Sequence, residues 1–161
     1  MFTHRGHPAE PDVEALLRAH LAGVSAISPP ESTHAFDAAR LAGPGITLWA
    51  VRASDDPASE LMGVGALLEL DAKHGEIKSM RTVDAHRRRG VGATLVGHMI
   101  HQARQLGYDR LSLETGAQPE FEPARRLYAR FGFEECGPFA GYAPDPNSVF
   151  MTRPIEPLGE R

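Results

Sequence analysis

Val83-Asp84-Ala85-His86-Arg87-Arg88-Arg89-Gly90-Val91-Gly92-Ala93 carries three consecutive arginines into a Gly-x-Gly turn, and a run of helix-spaced apolar residues follows. Val91, Leu95, Met99, Ala103 and Leu106 share one stripe, widened by Val96 and Ile100. That spacing predicts a helix over 91–106, with Gly107 just past its C-terminal end. Upstream, 76–83 reads as a strand. The quoted stretch therefore delivers a strand into a helix N-terminus, where the first amides lack intrahelical acceptors and the macrodipole is positive. Two glycines let the backbone approach an anion without a Cβ in the way, and three guanidinium groups add charge beside it. No Gly-Lys-Ser/Thr follows, so this is not a P-loop, and Ala93-Thr94-Leu95 does not supply the third glycine of a dinucleotide fingerprint. Taken alone, the turn is equally an arginine-rich connection with no ligand.

Working outward, 61–70 forms a strand, 71–75 a hairpin turn into 76–83, and 46–51 an earlier strand. Ahead of these, Val13, Leu16, Leu17, His20, Leu21 and Val24 recur at three- and four-residue steps. They predict a helix with Asp12 as its N-cap, ending by Ser28-Pro29-Pro30. Residues 1–9 read as an irregular or weakly paired start, and 31–45 as a connection with a short helix around 34–41. Downstream, 110–115 is a short strand, 123–131 a short helix with Pro123 in its first turn, and 133–136 and 149–153 two final strands. Antiparallel strands followed by strand–helix–strand units imply a mixed α/β sheet with helices on its faces.

The 161 residues suit one domain, 1–161, and 42% hydrophobic residues provide for a sizeable core. No apolar run nears the ~20 residues that span a bilayer, and Met1 to Pro8 lack the apolar centre of a signal peptide, so the expectation is a soluble, cytoplasmic protein with no membrane partner. Cys136 is the lone cysteine, which excludes an internal disulfide and a cysteine-based metal motif. A net charge of −4 does not favour nucleic acid. The 15 arginines against 2 lysines, with abundant Ala, Gly and Pro, read as the imprint of a GC-rich bacterial genome.

Arg87-x-x-Gly90-x-Gly92 resembles the Gln/Arg-x-x-Gly-x-Gly/Ala signature of GNAT acetyltransferases. Ala124-Arg125-Arg126-Leu127-Tyr128-Ala129-Arg130-Phe131-Gly132-Phe133 resembles the second signature of that family, Ala-x-x-Leu-Tyr-x-x-x-Gly-Phe. The likeness covers 61–136 strongly and 1–45 weakly. It implies a GNAT fold: a mostly antiparallel seven-stranded sheet splayed between strands 4 and 5, with about four helices. It implies acetyl-CoA as cosubstrate and no metal. Backbone groups of Met80, Arg81 and Thr82 would contact the pantetheine arm, and the loop Arg87, Arg88, Arg89, Gly90, Val91, Gly92 and Ala93 would hold the pyrophosphate. Phe121 stands where many members carry a pantetheine-binding Asn.

The chemistry so implied is attack of an amine on a thioester. A lysine-like amine with pKa ~10.4 is almost wholly protonated near neutrality, so a base helps. The oxyanion needs a donor, expected from a backbone N–H near Met80, and the leaving thiolate needs a proton. The resemblance assigns the proton donor to Tyr128, which on spacing alone belongs equally to the apolar stripe Ala124, Leu127, Tyr128 and Phe131. It assigns the base to Glu76, fourteen residues before Gly90, against the plainer reading of a half-exposed strand glutamate; Glu114 on the neighbouring strand is the second candidate. The acceptor site falls to 28–34 and 141–148, where Glu31 and His34 are candidate substrate ligands, and where Glu31 and Asp145 without Lys or Arg favour a cationic amine. His98 and His101, three apart on a helix, are read as a solvated polar face and not as a metal pair. Cys136 is read as a small buried hydrophobe. The leading reading is N-acetylation of a small-molecule amine in a ternary complex, by a monomer or homodimer. The rivals are a protein or peptide N-acetyltransferase and a CoA-binding regulatory module with little turnover.

Overall fold

A computed structural model describes residues 1–159 of the chain. In order, the elements are β1 (Phe2–Arg5), α1 (Pro11–Ile27), α2 (Ala38–Leu41), β2 (Ile46–Arg52), β3 (Leu61–Asp71), β4 (His74–Thr82), α3 (Val91–Gln105), β5 (Arg110–Gly116), α4 (Glu122–Arg130), β6 (Glu134–Cys136) and β7 (Ser148–Pro154). Seven strands form one sheet in the order β1-β2-β3-β4-β5-β7-β6, antiparallel throughout except for β4 and β5. In the parallel pair, α3 carries the chain from the end of β4 back to the start of β5, as a parallel crossover requires.

The helices cover both faces. On one side α3 buries Val91, Leu95, Val96, Met99, Ile100 and Ala103, and α4 buries Tyr128, against Trp49, Val51, Leu67, Ile77, Leu111 and Leu113. On the other, α1 and α2 bury Val13, Leu17 and Leu41 against Leu48, Ala50, Val64 and Ala66. β2 and most of β3, between them, are consequently near-continuous apolar runs. Gly107, at φ 77, ends α3 as its spacing predicts.

Several expectations are corrected. The N-terminal residues are a paired edge strand, with Phe2 opposite Arg52 through Arg5 opposite Trp49. Asp12 does not cap α1: Glu10 holds that position, and Asp12 lies inside the helix, where its carboxylate binds the buried Arg52 at 2.6 Å. That ion pair also tethers α1 to β2, and the guanidinium holds the Asp12 carboxyl below its usual range. The helix near 34–41 is a single turn, begun by Asp37, whose side chain accepts from the Arg40 amide.

Candidate active site

β4 and β5 are paired only from His74 opposite Arg110 to Ile77 opposite Leu113. Beyond that point β4 bulges, with Lys78 opposite Ala66 and Arg81 opposite Val64, so that Ser79 and Met80 together face Gly65. Ser79 takes φ 56 to make the bend, and the bulge turns the strand away from its neighbour. β5 is held on its far edge by β7 along its full length. A cleft therefore opens between the C-terminal halves of β4 and β5. Met80 turns toward α3, and Gly65 admits it: a Cβ at Gly65 would stand 2.7 Å from the Met80 sulfur. Arg81 turns the other way, its guanidinium against Gly23 of α1, with Nε buried and lacking a hydrogen-bond partner among the described residues.

The loop after β4 tightens through His86 N–H donating to Val83 and Arg87 N–H donating to Asp84. Arg88 (φ 61) and Gly90 (φ 82) then adopt left-handed conformations, and Gly90 caps α3. Among the described residues, no amide from Arg88 to Ala93 donates to a backbone carbonyl. Arg87 pairs with Asp84 at 2.8 Å and Arg89 with His86 at 2.7 Å, which leaves Arg88 the least committed of the three. A row of free amides with guanidinium groups around it fits a pyrophosphate. Gly92 has a second role. A Cβ there would lie 2.9 Å from Leu127 Cδ2, so glycine also lets α4 approach α3.

On the α1 face the two segments expected to receive the acceptor meet over the sheet. Ser32 Oγ donates to Asp145 Oδ2 at 2.5 Å, and His34 stands edge-on to Tyr142 with ring centroids 5.0 Å apart. Glu31 is exposed on the short turn Pro30–Ser32. Asp145 is occupied by Ser32 and the Asn147 amide, and these bonds hold its carboxyl below the usual range. Beneath the loops Glu76 is buried, and its Oε2 accepts from Tyr142 Oη at 2.6 Å and from Lys78 Nζ at 3.3 Å. Glu76 is thus not the half-exposed residue of the plainer reading. Lys78 Nζ also lies 4.2 Å over the Phe36 ring. Lys78 is not among the sequence-based candidates, although Glu76-x-Lys78 on one face of a strand is a signal for it; Tyr142 falls within the 141–148 acceptor segment, but its bond to Glu76 has no local signal.

Glu114 lies one residue past the last β5 pairing with β4. Its Oε2 is buried without a partner, and burial pushes its carboxyl up to about 7. Tyr128 is buried on α4 against Phe133, and burial, then the nearby Glu114, raise its hydroxyl above the usual tyrosine range. Phe121 lies flat on Gly116, where any side chain would overlap its ring. His98 is half-buried: it packs edge-on against Trp49 with centroids 5.0 Å apart, and its Nε2 is buried without a hydrogen-bond partner among the described residues, while His101 is exposed. Among the described residues no group of three or more His, Cys, Asp or Glu could hold a metal ion. Cys136 is half-buried on the edge strand β6.

The model of the acetyltransferase (GNAT) family matches residues 13–133. The chain belongs to the GNAT family. This GNAT chain is 52% identical to the Bacillus subtilis uncharacterized N-acetyltransferase YsnE over 143 residues, 89% of this chain and 92% of the relative. It is 35% identical to the Azospirillum brasilense IAA acetyltransferase over 128 residues, 79% of this chain and 80% of that one. A solved structure described as an acyl-CoA N-acyltransferase of Klebsiella pneumoniae superposes with a TM-score of 0.76 at 28% identity, over 96% of this chain and 97% of that chain. A GNAT structure from Elizabethkingia anophelis that holds acetyl-CoA shares the fold with a TM-score of 0.67 at 16% identity, over 96% and 97%. The protein is accordingly a GNAT N-acetyltransferase, an acyltransferase enzyme with a seven-stranded mixed sheet.

Proposed function

We propose that this enzyme transfers the acetyl group of acetyl-CoA to the primary amine of a small molecule by direct attack in a ternary complex. The observation that carries the reading is the β4–β5 cleft, with unsatisfied amides at one end and buried ionisable side chains on the α1 face. Bound acetyl-CoA supplies an activated thioester. Amides from Arg88 to Ala93, with Arg87, Arg88 and Arg89, bind the pyrophosphate. The edge of Met80, Arg81 and Thr82, which has no β5 partner, offers backbone groups to the pantetheine arm, and an N–H near Met80 stabilises the oxyanion. Tyr128 donates a proton toward the leaving sulfur, and its raised affinity for that proton keeps it a donor at every working pH.

Glu31, His34 and the 141–148 loop form the acceptor wall, and the Azospirillum relative named for IAA is in keeping with a small acceptor. The loop charges Glu31 and Asp145 are not alone there. Lys78 and Arg40 approach the Phe36 ring at 4.2 and 3.6 Å, so the wall carries both signs of charge. The family resemblance assigns the base to Glu76.

Calorimetry should find one acetyl-CoA per chain. Acetyl-CoA at ~100 times its dissociation constant should add about 2.7 kcal/mol to stability, a rise of several degrees in Tm. Thiol release over an amine panel should then identify acceptors. Tyr128→Phe should lower kcat by ~10²–10⁴ while leaving acetyl-CoA affinity near that of the parent. Absence of binding defeats the proposal, and unchanged turnover in Tyr128→Phe returns that residue to the core.

A further inference from the structure

We infer that Glu114, at the point where β5 parts from β4, is the group that takes the proton from the acceptor ammonium, beside the hydrogen-bonded set Glu76, Lys78 and Tyr142. This rests on the acetyltransferase reading above. The register is the first support. Leu113 is the last β5 residue paired with β4, so Glu114 is the first to stand free in the cleft. Strand alternation sends Leu111 and Leu113 into the α3 core and turns Ser112 and Glu114 to the opposite face, which Glu76 and Lys78 share.

Hydrogen bonding separates the two carboxylates. Glu76 is committed, accepting from Tyr142 at 2.6 Å and Lys78 at 3.3 Å. Glu114 Oε2 is buried with no partner among the described residues. A proton on the Glu76 carboxylate would weaken its charge-assisted bonds to Lys78 and Tyr142, whereas Glu114 Oε2 has no such bond to lose. The charged and titratable groups around Glu114 are Lys78 and Glu76 from β4, Asp145 and Tyr142 from the β6–β7 connection, and Tyr128 from α4. Burial raises its carboxyl most, Lys78 opposes that, and Glu76 and Asp145 add to it, for a value of about 7. A base poised near neutrality is the effective kind. Across β7, Glu114 is opposite Phe150, whose ring packs on Tyr142 at 5.4 Å and Phe139 at 6.0 Å, an apolar wall that limits solvation of the carboxylate.

The step balances as follows. Glu114 takes one proton from R–NH3⁺, leaving R–NH2. The nitrogen lone pair forms the C–N bond to the acetyl carbonyl carbon. The C–S bond then breaks, its electron pair passes to sulfur, and sulfur takes the Tyr128 proton. The second proton on nitrogen returns the tyrosine to its neutral form, and Glu114 releases its own to water. Acid and base thus reach the cleft from α4 and from β5.

The test compares the parent chain, Glu114→Gln and Glu76→Gln by thiol release with ethylamine and 2,2,2-trifluoroethylamine across pH, with acetyl-CoA calorimetry on each chain. Ethylamine is protonated at neutral pH; the fluorinated amine is largely neutral. The parent kcat/KM for ethylamine, the acceptor whose proton Glu114 removes, should rise with pH through about 7 and level off above it. Glu114→Gln should lose ~10²–10⁴ with ethylamine, lose that limb, and show a much smaller deficit with the fluorinated amine, at unchanged acetyl-CoA affinity. Glu76→Gln should keep the limb. A Glu114→Gln enzyme within threefold of the parent, or a limb that survives in it, overturns the inference alone. A parent enzyme that binds acetyl-CoA but releases no thiol with either amine overturns the inference for these acceptors, and one that does not bind acetyl-CoA overturns the acetyltransferase reading as well.

Discussion

Glu114 occupies its place at a cost that can be measured without any substrate. Its carboxyl titrates at about 7 in the folded chain and near ~4.3 when unfolded. Between those values the native state holds the extra proton, so stability falls as pH rises through the window and the loss is complete above it. Glu114→Gln removes the charge that has to form. Denaturant unfolding should find the variant about 1–3 kcal/mol more stable than the parent at pH 8, and the two equal near pH 4. A parent at least as stable as the variant at pH 8 would mean that the carboxylate is well solvated or paired. Stability gained together with activity lost is the pattern of a functional residue held against its preference. Glu76 differs in kind: with two donors at 3.3 Å or closer, its removal leaves Lys78 buried without its charge partner.

The first turn of α3 and the bulge of β4 are the elements that make the cleft. The helix start works through geometry and charge, and Gly90 carries both. Its φ of 82 suits glycine, and there is room for a side chain, since a Cβ would have only Met1 Cε nearby, at 3.7 Å. Gly90→Asp should weaken acetyl-CoA binding at least 100-fold, because a carboxylate then stands at the anion site. Gly90→Asn tolerates the same left-handed backbone without the charge and should retain far more affinity. Equal losses in the two variants, by calorimetry, would place the effect in the backbone alone. In β4, Gly65 and the positive φ of Ser79 act as one device, since the bulge sends Met80 into space that a side chain at Gly65 would fill.

Over the whole molecule, the proposed acceptor wall brings together segments 113 residues apart, joined by the Ser32–Asp145 hydrogen bond. Asp145 is bound by two donors and is only half-buried, so the bond orders the loops more than it stabilises the fold. Asp145→Asn should raise the acceptor KM several-fold while leaving acetyl-CoA affinity and saturated kcat near those of the parent, measured with whichever amine the panel yields. A fall in kcat with constant KM would place Asp145 in the chemistry instead. The Arg52–Asp12 pair does the opposite work: its guanidinium is 3% exposed and ties α1 to β2, so its loss should be felt as stability.

Arg87-x-x-Gly90-x-Gly92 and the α3 stripe were legible because a helix N-terminus, its free amides and its apolar face are local properties, set within one or two turns of the residues that encode them. The strand-helix order was legible on the same ground, as was the seven-stranded splayed sheet once the two family motifs were read together. Local spacing could not show that Phe2–Arg5 would pair with β2, because an edge strand takes its partner from elsewhere in the chain. Nor could it show that Asp12 would leave the cap position to meet Arg52. The contrast between Glu76 and Glu114 depended on tertiary structure alone. Both are strand glutamates in sequence; one meets a tyrosine from the β6–β7 connection and a lysine two residues on, while the other lies beyond the last paired residue with an oxygen left free. Burial and partnership decide what a carboxylate can do, and both are set by chain segments that meet only when the sheet is assembled.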